Sequence, residues 1–121
     1  MAGTQGPIEQ INAVTLATTN MARSVAFYTS LGFRLRYGGP GATFTSFALA
    51  EGHLNLSCSE SPPSGSGVRV IFYVDDVDAI HARALDLGLQ PQAPPRDAPW
   101  GERYFHIRDP DGHELSIAKR L

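Results

Sequence analysis

The chain has 121 residues (13.1 kDa), 42% of them hydrophobic and 9% aromatic, with a formal net charge of −2, which bounds it to one domain large enough to bury a core without staples. A pI of about 6.0 offers no basic surface to nucleic acid or to an anionic membrane, and no apolar run approaches the length of a membrane span. Cys58 is the single cysteine, so no internal disulfide can form; with no signal-like apolar segment in Met1–Gln10, a cytoplasmic location is expected.

Met1–Pro7 is small and polar and reads as a frayed tail. Ile11–Ala17 reads as a strand. Asn20 is a good N-cap, Met21, Val25, Tyr28 and Leu31 follow at helical spacing, and Gly32 stands where a helix ends. Phe33–Tyr37 alternates as a strand, Gly38-Gly39-Pro40-Gly41 is a turn, and Ala42–Leu49 and Leu54–Cys58 read as strands joined at Glu51-Gly52. Ser59–Gly67, rich in Ser, Pro and Gly, is the expected linker.

The plan then repeats. Val68–Val74 is β-branched and strand-like, Asp75 or Asp76 caps a helix with Val77, Ile80, Ala84 and Leu87 on one face, and Gly88 closes it. Leu89–Gln92 is expected as a short strand and Ala93–Gly101 as a Pro-rich loop ending in Trp100. Arg103–Arg108 and His113–Lys119 read as strands around the tight turn Asp109-Pro110-Asp111-Gly112, where Pro fixes φ and Gly accepts φ > 0. Val14 answers to Val70 and Gly32 to Gly88, a constant offset of 56 residues. Self-similarity at a fixed offset predicts two βαβββ modules, about residues 8–60 and 67–121, in one domain, with the site between them.

Asn20 through Phe27-Tyr28 to Leu31-Gly32-Phe33, Val74-Asp75-Asp76-Val77-Asp78 and Asp109-Pro110-Asp111-Gly112-His113, at these separations, make the chain resemble the vicinal oxygen chelate superfamily of glyoxalases, bleomycin-resistance proteins and extradiol dioxygenases. The resemblance spans Ile11–Leu121 and implies an α+β fold in which the two modules form a curved mixed sheet around a cleft, helices on the outer face. It implies a homodimer, side by side or with exchanged modules. Many such enzymes hold a divalent metal with one residue from each of four strands. Here the corresponding positions are Ala13, Asn55, Arg69 and Ser116. An alanine offers no donor, a guanidinium repels a cation, and amide and hydroxyl are poor substitutes for carboxylate or imidazole. No metal and no cofactor are therefore expected, and the likeness is nearest to the metal-free, bleomycin-resistance-like members.

Strand parity extends the expected lining from Arg69 and Ser116 to Thr15, Ile71, Tyr73 and Glu114. On Arg103–Arg108, Phe105 and Ile107 make the core face, leaving Tyr104 and His106 on the other. The position of His106 lies near the substrate in related dioxygenases, which makes it the candidate catalytic residue. Arg69 has two readings, an anion clamp or an internal ion pair with Glu114. Trp100, in a loop similar to the one bordering the drug groove of bleomycin-resistance proteins, either stacks on a ligand or lids its own core. Expected ligand contacts are thus Asn55, Arg69, Tyr73, Trp100, Tyr104, His106, Glu114 and Ser116. Cys58 reads as a buried inert thiol, and His53 and His113 as exposed turn residues. Three functions follow: a metal-free binder sequestering an antibiotic or other aromatic or anionic metabolite, a metal-dependent lyase, isomerase or dioxygenase using an unusual set such as His53, His106 and Glu114, or a metal-free enzyme with His106 as general base.

Overall fold

The computed structural model describes residues 6–61 and 69–121; most of the expected linker lies outside the described residues. Module one runs β1 (Ala13–Thr18), α1 (Met21–Leu31), β2 (Arg34–Tyr37), β3 (Phe44–Ala48) and β4 (His53–Cys58). Module two runs β5 (Arg69–Tyr73), α2 (Val77–Asp86), β6 (Arg96–Ala98), β7 (Glu102–Arg108) and β8 (Glu114–Arg120). The fold is α+β, two tandem βαβββ modules, and the 56-residue offset carries the start of β1 onto β5 and the start of α1 onto α2.

Local chemistry sets these boundaries. Asn20 is extended and its side chain accepts from the Arg23 N–H, while Gly32, at φ 111°, ends α1 with Phe33 N–H donating back to the Tyr28 carbonyl. Asp76, not Asp75, caps α2 by accepting from the Ala79 N–H at 3.0 Å.

The strands form two separate mixed sheets, ordered β1-β4-β3-β2 and β5-β8-β7-β6. In each, the module's first strand lies parallel to its last, and the other pairs are antiparallel. The expected strand at Leu89–Gln92 is not formed: one bond, Gln92 N–H to the His106 carbonyl, is all that ties it to β7. The edge strand falls instead in the expected Pro-rich loop. Pro94 and Pro95 have no N–H to give, so the ladder opens at Arg96, which pairs with Tyr104.

One face of each sheet is covered by its helix, and these covered faces feed a single core. Tyr28, Val25 and Leu31 of α1 and Leu54, Leu56 and Phe47 of the first sheet join Phe72, Phe105, Ile107, Leu115 and Ile117 of the second. Phe33 meets Phe72 edge to face with ring centroids 4.9 Å apart, bridging the modules. The opposite faces stay open.

The Asp109–Gly112 turn does more than reverse the chain. It docks on the corner between β1 and α1. Tyr28 donates its hydroxyl to buried Asp109 at 2.7 Å, and Asp111 accepts from the Thr19 N–H, the Ser24 hydroxyl and Arg23. The His113 Nε2 lies 2.8 Å from the Ala17 carbonyl, which can only accept, so that nitrogen carries the proton. His113 is therefore half-buried and bonded across modules, not the free turn residue its position suggested; His53 is likewise half-buried, paired in register with Ala13. Cys58 is exposed rather than buried, since β4 ends there at the rim.

Candidate functional site

The open face of the second sheet carries most of the expected site. The ladder places side chains of Arg69, Glu114 and Arg108 in one row, Ile71, Ser116 and His106 in the next, and Tyr73, Ala118 and Tyr104 in a third. Arg96 and Trp100 extend this face at β6 and the turn after it. Ile71 is 58% exposed, Tyr73 54% and Trp100 68%, a run of apolar surface that a lone chain leaves in water.

The polar groups are tied into two clusters. Arg69 is 47% exposed and pairs with Glu114: its Nε lies 2.6 Å and its Nη2 2.5 Å from the same oxygen, Oε1, while Gln92 reaches the other oxygen at 3.4 Å. The guanidinium holds the Glu114 carboxyl below the usual carboxylate range. Of the two readings of Arg69, the ion pair with Glu114 is formed, with part of the guanidinium still facing solvent. At the other end Glu102 accepts from the Trp100 indole N–H at 2.9 Å and from the Tyr73 hydroxyl, and Arg120 lies over the Tyr73 ring. These bonds, first that from Tyr73, lower the Glu102 carboxyl.

Between the clusters runs an aromatic row. Trp100 stacks on Tyr104 with centroids 5.8 Å apart and planes 28° apart, and Tyr104 lies 5.0 Å from the His106 ring. Arg96 sits over Tyr104 and donates Nε–H to its hydroxyl at 2.8 Å. Trp100 does not lid its own core. His106 is half-buried; burial first, then the neighbouring Arg69, push its imidazole below the ordinary 6.5, with Glu114 opposing. The shift favours the neutral ring, the form that can accept a proton.

Asn55 lies apart from these residues, on the open face of the first sheet, with its amide 3.3 Å from the Thr15 hydroxyl. Around it that face carries the small residues Ala13, Thr15, Ala17, Ser46, Ala48 and Ser57, with Arg34, Tyr37 and Phe44 further out on β2 and β3, and no acidic residue occurs anywhere in β1–β4. The four positions at which the resemblance places metal ligands thus divide between two sheets that share no hydrogen-bonded edge. A methyl, an amide, a paired guanidinium and a hydroxyl do not make a donor set for a divalent cation. Among the described residues, no three His, Cys, Asp or Glu side chains gather closely enough to hold one.

The modules do build a groove between them, of about 880 Å³. Leu31, Phe33 and Leu49 line it from module one and Phe72, Ile80 and Arg83 from module two; of the eight expected contact residues, only Tyr73 reaches it. Sequence pattern could not reveal the Glu102 cluster or Arg96. Both depend on the unexpected edge strand β6 and on which residues the turn at Trp100-Gly101 brings level.

Residues 10–117 match the family model of the Glyoxalase/Bleomycin resistance protein/Dioxygenase superfamily. Among solved structures, TioX from Micromonospora sp. ML1 aligns with a TM-score of 0.76 at 27% identity, over 93% of this chain and 100% of that one. A glyoxalase/bleomycin resistance protein/dioxygenase from Nocardioides aligns at 0.74 and 24% identity over 99% and 89%. Lactoylglutathione lyase from Agrobacterium tumefaciens aligns at 0.75 and 22% over 94% and 96%. These last two likenesses show the fold. An uncharacterised protein of Mycobacterium bovis is 38% identical over 55 residues, 46% of this chain and 36% of that protein, so the match spans about a third of the length of that curated relative.

Proposed function

The chain belongs to the Glyoxalase/Bleomycin resistance protein/Dioxygenase superfamily, and from that premise we propose that it binds a small aromatic or anionic molecule without a metal, in clefts shared by two copies of the chain. The observation that carries this reading is the open face of the second sheet, where Trp100, Tyr104 and His106 form an aromatic row flanked by arginines and lacking a ligand set. Sequestration of an antibiotic or of a comparable cytoplasmic metabolite is the role it gives the protein.

A second copy enters for a physical reason. One face is broad and aromatic, the other carries small and non-acidic residues along β1 and β4, and each belongs to a sheet with free edges at β1 and β5. Laying the small face of one chain over the aromatic face of another covers Ile71, Tyr73 and Trp100 and leaves room for a ligand between them. Two-fold symmetry then makes two equivalent clefts.

The state of His106 favours one further reading, a metal-free enzyme. An imidazole held neutral beside Arg69 can take a proton from a bound acid while the guanidinium stabilises the anion formed. Binding and catalysis separate on His106→Ala, which abolishes turnover but keeps binding if the residue is a base. The binding reading itself is tested after exhaustive treatment with a chelator. Trp100 is the only tryptophan, so its fluorescence reports on this face alone. Saturable quenching by planar aromatic acids is expected from the stripped protein. Binding that appears only on adding back Zn, Mn, Ni or Fe would overturn it.

A further inference from the structure

Resting on the binding reading above, we infer that the ligand class is a planar aromatic carboxylate, and that Glu114 competes with the ligand's carboxylate for Arg69. Charge decides the sign of the ligand. The open face of the second sheet presents Arg69, Arg96, Arg108 and Arg120 against Glu102 and Glu114. This excess of positive charge stands on a chain whose net charge is −2. Nothing on β1–β4 would offset it in a shared cleft, because those strands contain no acidic residue. A cationic ligand would be repelled, and a neutral one would bury arginines without compensation.

The arginines are not equally available. Arg96 is bonded to the Tyr104 hydroxyl and lies over its ring, and Arg120 lies over Tyr73. Glu102 is committed to Trp100 and Tyr73. Arg108 is exposed in the same row as Glu114, and the exchangeable contact is that of Arg69 with Glu114. Both guanidinium donors fall on the single oxygen Oε1, so the pair lacks the two parallel bonds of a forked carboxylate complex. A ligand carboxylate offering both oxygens makes the better partner, and Glu114 keeps Gln92 when it yields.

Geometry supplies the flat part. From Arg69 the face leads by adjacent rows to His106, then 5.0 Å to Tyr104 and 5.8 Å to Trp100. A fused aromatic ring lying along this row places its carboxylate at the Arg69 end and its rings against His106 and Tyr104, toward the indole. Glu114 then acts as a gate that sets affinity without being required for it, and Arg69 is the residue that reads the charge.

The test compares 2-naphthoate with the isosteric, neutral 2-naphthamide, by calorimetric titration of the full-length, chelator-treated protein. Wild type is expected to bind the acid about tenfold or more tightly than the amide. Arg69→Gln should erase that preference. Glu114→Gln should tighten the acid several-fold and widen its preference over the amide beyond that of wild type, a gain of function that a destabilised fold could not produce. Equal affinity for acid and amide in wild type overturns the ligand class while leaving the binding reading intact. A weaker acid complex in Glu114→Gln overturns the gate. Failure of both probes to bind overturns the inference together with the reading beneath it.

Discussion

Single residues carry two kinds of work here, and pH separates them. His106 is held below 6.5 by burial and by Arg69, so the folded protein prefers the neutral ring. Its contribution to stability is complete above the unfolded value near 6.5 and is lost as pH falls through the lower folded one. An NMR titration should place its midpoint below 6.5, and Arg69→Gln should move that midpoint up, because it removes a cation and releases Glu114. An unmoved midpoint would mean that Arg69 and His106 do not share a site. Asp111 works in the other class. Burial opposes its charge, yet hydrogen bonds from Thr18, Thr19 and Ser24 hold the carboxyl below the ordinary 3.8. Its contribution is therefore present above about pH 4 and disappears below it. Asp111→Asn should cost about 1–3 kcal/mol in urea unfolding at neutral pH and flatten the acid limb of the stability profile. Tyr28→Phe should cost a similar amount, since it removes a buried donor from Asp109. The sequence marked Asp109 and Asp111 only as turn residues, because the partners at Tyr28 and Ser24 lie in the other module and no spacing announces them.

At the scale of elements, the punctuation was legible and the edges were not. Asn20, Gly32 and the Asp75-Asp76 pair announced both helices, because caps and left-handed glycines are local demands that few residues meet. Asn20→Ala should lower stability by about 1 kcal/mol, read from thermal unfolding. Gly52 has φ +84°, and a Cβ there would lie 2.6 Å from the Asn12 carbonyl, which already accepts from the His53 N–H. Gly52→Ala should therefore shift the β3–β4 turn off the start of β1 and cost more than the loss of the cap, by about 1–3 kcal/mol. The β6 misreading has the opposite origin. Leu89 looked like a strand because it is apolar, but it packs against the core as an irregular segment, while polar Arg96-Asp97-Ala98 wins the ladder through its position opposite β7. Edge strands owe their place to a neighbour, and a one-dimensional pattern does not contain the neighbour. The same gap hid the aromatic row: Tyr104 and His106 followed from parity, but Arg96 and the Trp100–Glu102 bond required β6 to exist.

On the scale of the whole molecule, duplication explains both the fold and its incompleteness. Two copies of one plan bury their helix-covered faces in a common core and leave two dissimilar faces in water. The repeat could be read from the offset, but not which faces would meet, since that depends on the aromatic contact of Phe33 with Phe72 and on the Asp109–Gly112 latch. Sedimentation velocity should show a dimer, and Tyr73→Arg with Ile71→Arg should shift it toward monomer while keeping the circular dichroism of the native fold. That the binding cleft is shared between copies is tested most directly by complementation, read by 2-naphthoate titration of Trp100 fluorescence. Thr15→Arg blocks the small face and Arg69→Gln removes the carboxylate partner on the aromatic one, so neither variant alone should bind 2-naphthoate with wild-type affinity. Mixed dimers of the two retain one intact cleft, and one site of wild-type affinity per mixed dimer is the predicted result. No recovery on mixing, or wild-type binding by Thr15→Arg alone, would contradict it.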